Sequence, residues 1–299
     1  MTGTEELQPR YIRANGMEFA YLCAGEGPLV LCLHGFPDTA WSFADLLRRL
    51  AAAGFRGVAP FMRGYAPTDI PPDRDYSCLA LGRDVIALLE HLEVPDAAIV
   101  GHDWGAGAAY AAASLRPDRI RRVVTAAVPH LRRFLLRPTR AQLRRSSYMF
   151  KFQLPAWPEK RIRENDFAWL LDLARSWSPG WELPAAYVAQ VKAAFSDPAR
   201  LKAALGYYRA MPGLLFNREA WHYLLAPLQV PARVIYGEKD GCIAAEMFAD
   251  MEHLFAGDYE LVGIPGAGHF MHLEAPDAFA EQVLGFLQKG QPGAAGRRA

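Results

Sequence analysis

The chain has few cysteines, almost no excess charge and no long apolar run. Four cysteines among 299 residues show neither paired spacing nor the spacing of metal ligands, which argues against a disulfide framework and a structural metal site. Lys and Arg total 33 against 32 Asp and Glu, so no global field attracts nucleic acid or an acidic membrane. No stretch of about eighteen apolar residues is present to span a bilayer, and the first residues lack a secretory pattern. We therefore expect a cytoplasmic protein with neither nucleic acid nor membrane as a partner.

The composition is that of a packed globular protein. Hydrophobic residues make up 52% of the chain and charged residues 22%, and the length allows one large domain or a domain with an insertion. The main local departure is a cluster of six arginines, which favours a solvated helix face over an anion or partner site because arginine stems lie well over apolar surface. The six are Arg132, Arg133, Arg137, Arg140, Arg144 and Arg145.

Short apolar runs alternate with helical stretches through most of the chain. Asn15-Gly16 lies between two alternating segments and predicts a β-hairpin, since this dipeptide favours the turn that the twist of both strands requires. The later runs, with helices between them, predict a mostly parallel sheet covered by helices on both sides. Its predicted buried strands cover residues 29–33, 55–59, 97–100, 120–128 and 259–264, with a further run that begins at 232.

The alternation stops between residues 131 and about 221. Only helical stretches occur there, interrupted by seven prolines, so the segment is most simply an all-helical insertion. We predict a core domain of residues 1–130 and 223–299 and a helical cap domain, or lid, of residues 131–222. The glycine, proline and arginine of residues 289–299 predict a frayed tail.

The motif Gly101-His102-Asp103-Trp104-Gly105 lies between a predicted buried strand and an alanine-rich helix. A strand, a sharp turn and a helix form the local pattern of a nucleophile elbow, here with aspartate where serine is usual. A carboxylate attacks a saturated carbon that carries a leaving group and forms an alkyl-enzyme ester. Asp103 is therefore the predicted nucleophile.

Two further residues complete a predicted triad. Asp240 and His269 each follow an apolar, strand-like run, and the chain order of nucleophile, acid and histidine is the one expected for this kind of elbow. Because the carboxyl ends of parallel strands meet at one edge of a sheet, these distant segments should converge. We expect His269 to activate water as a general base, with Asp240 orienting the imidazole ring.

The loop His34-Gly35-Phe36-Pro37 directly follows a predicted buried strand. The backbone N–H groups of Phe36 and Trp104 are the predicted oxyanion hole for the charge that develops when water attacks the ester. A cis or a trans bond before Pro37 is equally compatible with the sequence. His34 and His102 are interpreted as structural, hydrogen-bonding histidines.

Four motifs together resemble the epoxide hydrolase and haloalkane dehalogenase branch of the α/β-hydrolase superfamily, over nearly the whole chain apart from both termini. The resemblance implies an α/β-hydrolase fold, a mostly parallel sheet flanked by helices with an inserted all-helical cap. The motifs are His34-Gly35-Phe36-Pro37, Gly101-His102-Asp103-Trp104-Gly105, Glu238-Lys239-Asp240 and Gly268-His269.

The predicted cap carries two segments similar to the motifs that present ring-opening tyrosines in epoxide hydrolases. An epoxide oxygen becomes an alkoxide and needs O–H donors, whereas a halide leaves without a proton and is bound by weak N–H donors. The segment from Tyr148 to Pro155 implies Tyr148 as the first donor. The segment from Gly206 to Met211 implies Tyr208, which directly precedes an arginine, as the second, and Tyr207 is expected to pack.

The resemblance thus implies an epoxide hydrolase that converts a small apolar epoxide to a vicinal diol without a cofactor or metal, as a monomer or homodimer. A haloalkane dehalogenase with the same triad is the alternative: the Trp104 indole could bind halide, but Phe36 lacks the side-chain donor of asparagine, which many dehalogenases have there. A third possibility is a catalytically inactive binding protein of this fold, in which we would expect at least one triad residue to be missing. Asp103, Asp240 and His269 are all present.

Overall fold

The structure is a computed structural model that describes residues 6–289, so most of the predicted tail lies outside the described residues. Within them the chain forms one sheet of eight strands. In chain order the strands are β1 (Arg10–Ala14), β2 (Met17–Ala24), β3 (Leu29–Leu33), β4 (Arg56–Pro60), β5 (Ala97–His102), β6 (Ile120–Ala126), β7 (Ala232–Gly237) and β8 (Tyr259–Ile264).

The sheet is antiparallel at one side and parallel elsewhere. Its strand order is β1-β2-β4-β3-β5-β6-β7-β8, with antiparallel pairing of β1 to β2 and of β2 to β4 and parallel pairing between all later neighbours. Asn15 and Gly16 have φ of 47° and 74°, the positive values that the predicted hairpin turn requires. The predicted hairpin and mostly parallel sheet are both confirmed.

The central parallel strand β3 is buried on both faces. Leu29, Leu31 and Leu33 of β3 pack into one apolar cluster, whereas Val30 and Cys32 pack into another. All five side chains are buried, as expected for a strand with helices on both sides of its sheet. Cys32 is fully buried and packs there as a small apolar residue.

Five α-helices of the described residues lie outside the segment between β6 and β7. The first is preceded by a 3-10 turn, Ala40–Phe43. None of the helices formed by residues 6–289 has the length and apolar character that a transmembrane span requires. The five are α1 (Ala44–Ala52), α2 (Cys78–His91), α3 (Trp104–Leu115), α12 (Met271–Glu274) and α13 (Pro276–Leu287).

The chain between β6 and β7 is all helical, as predicted, and its last helix ends two residues beyond the predicted boundary at 222. We call residues 131–224 the inserted segment. Its helices are α4 (Leu131–Leu136), α5 (Arg140–Arg145), α6 (Ser147–Phe152), α7 (Trp157–Arg163), α8 (Ala168–Trp177), α9 (Ala185–Phe195), α10 (Pro198–Leu214) and α11 (Arg218–Leu224).

The six clustered arginines lie on and beside α4 and α5. Five are exposed and Arg133 is half-buried, which agrees with the interpretation as a solvated face. Two of them nevertheless donate hydrogen bonds to backbone outside the inserted segment. Arg133 donates to the backbone oxygen of Glu246, and Arg145 donates to those of Asp240 and Ile243. These contacts tie the inserted segment to loops that follow β7.

The turn between β5 and α3 is the tightest feature of the sheet's carboxyl edge. Asp103 has φ of 51° and ψ of −118°, a strained conformation for a side chain with a Cβ atom. Two glycines permit it: a Cβ on Gly101 would lie 2.2 Å from the oxygen of Gly105, and a Cβ on Gly105 would lie 1.9 Å from the oxygen of Leu33. The spacing of glycines in the motif therefore reflects close backbone contacts.

This packing can be tested with two glycines of the same helix. We expect Gly105→Ala to lower the free energy of unfolding by at least about 3 kcal/mol, because the clash is with backbone that cannot rotate away. Gly107 has Cys78 Sγ, at 3.5 Å, as its nearest neighbour, so Gly107→Ala should be neutral or stabilise by about 0.5–1 kcal/mol. Urea denaturation measures both variants. Equal stability of the two would contradict the assigned packing.

Candidate active site

Three side chains from the carboxyl ends of different strands converge. Asp103 follows β5, Asp240 follows β7 and His269 follows β8. His269 Nδ1 donates to Asp240 Oδ2 at 2.9 Å, and its Nε2 lies 3.7 Å from Asp103 Oδ2. The second distance is that of an ion pair and is too long for a hydrogen bond. The structure thus brings the three residues of the predicted triad together.

The carboxylate of Asp240 is held by the loop that follows it. Its Oδ1 accepts hydrogen bonds from the backbone N–H groups of Cys242, at 2.7 Å, and Ile243, at 2.9 Å. This leaves Oδ2 to accept the Nδ1 proton of His269. In the neutral ring this arrangement keeps the proton on Nδ1, while Nε2 faces Asp103.

The charges of this cluster are strongly coupled. Burial opposes a charged His269, but the charge of Asp240 and the proximity of Asp103 outweigh it and raise the pKa of His269 to about 10. Burial likewise opposes ionisation of Asp103, but His269 and the Phe36 N–H outweigh it, so the pKa of Asp103 lies below its usual value. At neutral pH Asp103 is therefore an anion.

One of the two predicted oxyanion donors contacts Asp103 directly. The backbone N–H of Phe36 donates to Asp103 Oδ1 at 2.8 Å, and the bond between Phe36 and Pro37 is cis. Trp104 is the first residue of α3, where backbone N–H groups have no partner within the helix. Its role as the second donor stays a prediction.

The two predicted donor tyrosines are neighbours in the inserted segment. Tyr148 on α6 and Tyr208 on α10 are 7% and 1% exposed, and their rings pack edge to face at 5.8 Å. Burial raises the pKa of both phenols well above the usual range, so both stay protonated at neutral pH. The Tyr207 hydroxyl donates to the backbone oxygen of Arg63 at 2.8 Å, which agrees with its interpretation as a packing residue.

An apolar cavity joins the tyrosines to the nucleophile. Its empty volume is about 560 Å³, counting the mouth that opens to solvent. Within residues 6–289 the Tyr208 hydroxyl and the Trp104 indole N–H are buried without a hydrogen-bond partner. The Tyr148 hydroxyl has only Cys242 Sγ as a hydrogen-bond partner there, at 3.5 Å. The lining residues are Cys78, Asp103, Trp104, Gly107, Val128, Leu131, Phe134, Leu135, Tyr148, Met149, Tyr208, Met211, Leu214 and Ile243.

The two histidines interpreted as structural make backbone hydrogen bonds. His34 Nε2 accepts from the N–H of Met62 at 3.0 Å, and His102 Nε2 donates to the backbone oxygen of His269 at 2.9 Å. Burial lowers the pKa of His34 to about 4, which keeps that ring neutral. His102 therefore supports the loop that carries His269.

Several side chains beside the triad were missed by the sequence reasoning. His272 lies 3.1 Å from Asp38, and the donor atoms of Asp38, His102 and His272 lie within 4.8 Å of one another. A carboxylate with two imidazoles is a set that could hold a transition metal. The sequence offered one signal for each residue, its closeness to a predicted site motif: Asp38 directly follows Pro37, and His272 lies three residues after His269. Gln142 and Cys242, which contact the loop of Asp240 and Tyr148, carry no such signal.

Comparisons with known proteins agree with this architecture. A family described as the alpha/beta hydrolase fold matches residues 28–276. The AB hydrolase superfamily protein YfhM of Bacillus subtilis is 30% identical over 93% of this chain and 97% of its own length. An epoxide hydrolase of Caballeronia sordidicola is 31% identical over 93% of this chain and 92% of its own. The crystal structure of an epoxide hydrolase from Vigna radiata has a TM-score of 0.82 and 27% identity, covering 95% of this chain and 99% of that one. The chain therefore belongs to the α/β-hydrolase fold family, in its epoxide hydrolase branch.

Proposed function

We propose that this protein hydrolyses epoxides to vicinal diols through a covalent ester on Asp103. The observation that carries the proposal is the shared cavity, in which two buried, protonated tyrosines and an ionised aspartate line one apolar space. An epoxide needs a nucleophile at carbon and an acid at oxygen, and this cavity offers both. The epoxide hydrolases among its relatives support the same reaction class.

The first half-reaction opens the ring. Asp103 Oδ1 is held by the Phe36 N–H, so Oδ2 is the oxygen that attacks a ring carbon. A C–O bond forms to Oδ2 as the bond from that carbon to the epoxide oxygen breaks. Tyr148 and Tyr208 donate hydrogen bonds to that oxygen, and a proton from one of them converts the developing alkoxide to a hydroxyl. The proton is returned to that tyrosine in the second half-reaction.

The second half-reaction releases the diol. His269 takes a proton from water, and the resulting hydroxide attacks the carbonyl carbon, Cγ, of the ester. The bond from Cγ to Oδ2 then breaks, so the diol leaves with Oδ2 and takes the proton from His269. The new carboxyl group of Asp103 gives its proton to the tyrosinate of the first half-reaction, and Asp103 is again a carboxylate. The Phe36 and Trp104 N–H groups stabilise the charge that develops on Oδ1. Esterification also prepares the base: it removes the negative charge of Asp103, one of the two carboxylates that raise the pKa of His269. The pKa of His269 therefore falls when the ester forms, which favours the neutral ring that water activation needs.

We infer that residues 131–222 act as a cap domain over a core of residues 1–130 and 223–299. Both donor tyrosines lie in this segment, whereas the triad lies in the core. The predicted substrate is a small apolar epoxide, because the cavity is lined mainly by apolar side chains. No cofactor or metal takes part in the proposed steps, and a cytoplasmic monomer or homodimer stays a prediction.

Haloalkane dehalogenation is the second candidate, and one observation favours it. The indole N–H of Trp104 is buried, without a protein partner in residues 6–289, and lines the cavity, as a halide donor would. Phe36 offers no side-chain donor to complete such a site. We expect styrene oxide to be turned over and 1-bromobutane to release little halide, measured by diol and bromide assays on one preparation. Bromide release that exceeds diol formation would reverse the order of the two candidates.

The role of His269 is tested by trapping the ester. We expect His269→Gln to reduce steady-state turnover by about a hundred- to ten-thousand-fold, while Asp103 still reacts because its carboxylate needs no base. Intact-protein mass spectrometry after addition of styrene oxide should show one added substrate mass on the variant. His222→Gln, which changes an exposed histidine of α11, is the control and should turn over normally. An unmodified His269→Gln protein would show that the nucleophile is misassigned.

The donor pair is tested by removing hydroxyls one ring at a time. We expect Tyr148→Phe or Tyr208→Phe to slow formation of the ester and the double variant to abolish it, since the alkoxide then forms without an acid. Tyr207→Phe is the matched control, because Tyr207 adjoins Tyr208 and its hydroxyl is bonded to Arg63. Rapid-quench single turnovers with styrene oxide measure the step. Undiminished ester formation in the double variant would refute the assignment.

A further inference from the structure

One buried polar side chain of the inserted segment reaches the loop of the catalytic acid. Gln142 on α5 is 1% exposed. Its Oε1 accepts from the N–H of Ala244 at 2.8 Å, and its Nε2 donates to the backbone oxygen of Cys242 at 3.1 Å. The carboxamide therefore pairs with this backbone as a neighbouring strand would. Nε2 also donates to Ser146 Oγ at 2.9 Å, which completes the hydrogen-bonding capacity of its NH₂ group.

The same loop holds Asp240 from its other side. The N–H groups of Cys242 and Ile243 bind Asp240 Oδ1, whereas the oxygen of Cys242 and the N–H of Ala244 bind Gln142. The backbone of residues 240–244 thus lies between the triad acid and α5. A shift of this loop would move the carboxylate that orients His269.

Gln142 is also tied to the first donor tyrosine. Its partner Ser146 lies between α5 and α6, two residues before Tyr148. The Tyr148 hydroxyl in turn lies 3.5 Å from Cys242 Sγ, in the residue whose backbone oxygen Gln142 binds. Gln142 thus binds both the 240–244 loop and Ser146, which precedes α6, and Tyr148 of α6 contacts the same loop through Cys242.

We propose that Gln142 is a positioning residue that fixes the Asp240 loop and the Tyr148 hydroxyl relative to each other, so that both half-reactions depend on it. The inference rests on the proposed function, because it assigns the two ends of the contact set to ring opening and to ester hydrolysis. An apolar side chain at this position would leave the oxygen of Cys242 and the N–H of Ala244 buried without partners. The loop would then move to satisfy them, away from both catalytic groups.

The test is a pair of double-mutant cycles, because these separate action through a named partner from general loss of structure. Gln142→Met keeps the length of the side chain and removes its hydrogen bonds. With styrene oxide in single turnovers, we expect it to slow both ester formation and ester hydrolysis by about 10- to 100-fold, the effect of a displacement near 1 Å. In the Tyr148→Phe background its effect on ester formation should shrink to about twofold or less.

The second cycle addresses ester hydrolysis. In the Asp240→Asn background, Gln142→Met should change the hydrolysis rate by about twofold or less, because the carboxylate through which Gln142 acts is already absent. Arg144→Ala, which changes an exposed side chain of the same helix α5, is the control, and both rates should stay close to wild type. If Gln142→Met does not fold, Gln142→Asn, which keeps a carboxamide but is shorter by one methylene group, replaces it in both cycles.

The outcomes distinguish failure of the proposed function from failure of the positioning role of Gln142. A wild-type protein that forms neither ester nor diol overturns the proposed function and the role of Gln142 with it. Suppose instead that the wild type turns over normally. If Gln142→Met then has no effect, or if its effect persists undiminished in both partner backgrounds, the positioning role alone is overturned.

Discussion

The site depends on one buried imidazole placed between two carboxylates. His269 donates to Asp240 at 2.9 Å and lies 3.7 Å from Asp103, and all three side chains are withdrawn from solvent. Burial of these charges is costly unless each is paired and hydrogen-bonded. The protein meets this condition with backbone donors: the Phe36 N–H binds Asp103, and two N–H groups of the 240–244 loop bind Asp240. In the proposed mechanism, the carboxylate that attacks carbon is also one of the two that raise the pKa of the base, which links the two half-reactions electrostatically.

The fold supplies this arrangement through the ends of its strands. The central strands β3 and β5 are buried along their whole length, and the polar side chains of the site lie on the loops that follow the strands. The elbow after β5 holds Asp103 at φ of 51°, and close backbone contacts at Gly101 and Gly105 maintain that strain. The loop after β7 is held in addition by the inserted segment, through the contacts of Gln142 and Arg145.

The triad could be predicted because each member follows an apolar run in the order that the elbow implies, and local pattern alone gives that information. The hairpin at Asn15-Gly16 and the mostly parallel sheet were predictable for the same reason. Contacts between distant segments were not. Gln142 lies in an arginine-rich stretch that resembles a solvated helix, and only the packing of α5 on the 240–244 loop buries it. The isomer of the bond before Pro37 was also undecidable, since it depends on the loop around it.

The donors of the cavity bear on which leaving group it accommodates. A buried hydroxyl without a partner is unfavourable by about 1–3 kcal/mol, and within residues 6–289 the Tyr208 hydroxyl has no protein partner while Tyr148 has only a thiol. A substrate oxygen between the two rings would satisfy both hydroxyls. The Trp104 indole is a single weaker donor, and Phe36 cannot add a second. A halide would therefore leave two tyrosine hydroxyls poorly satisfied, whereas an epoxide oxygen uses them as its charge develops, where such interactions accelerate a reaction most.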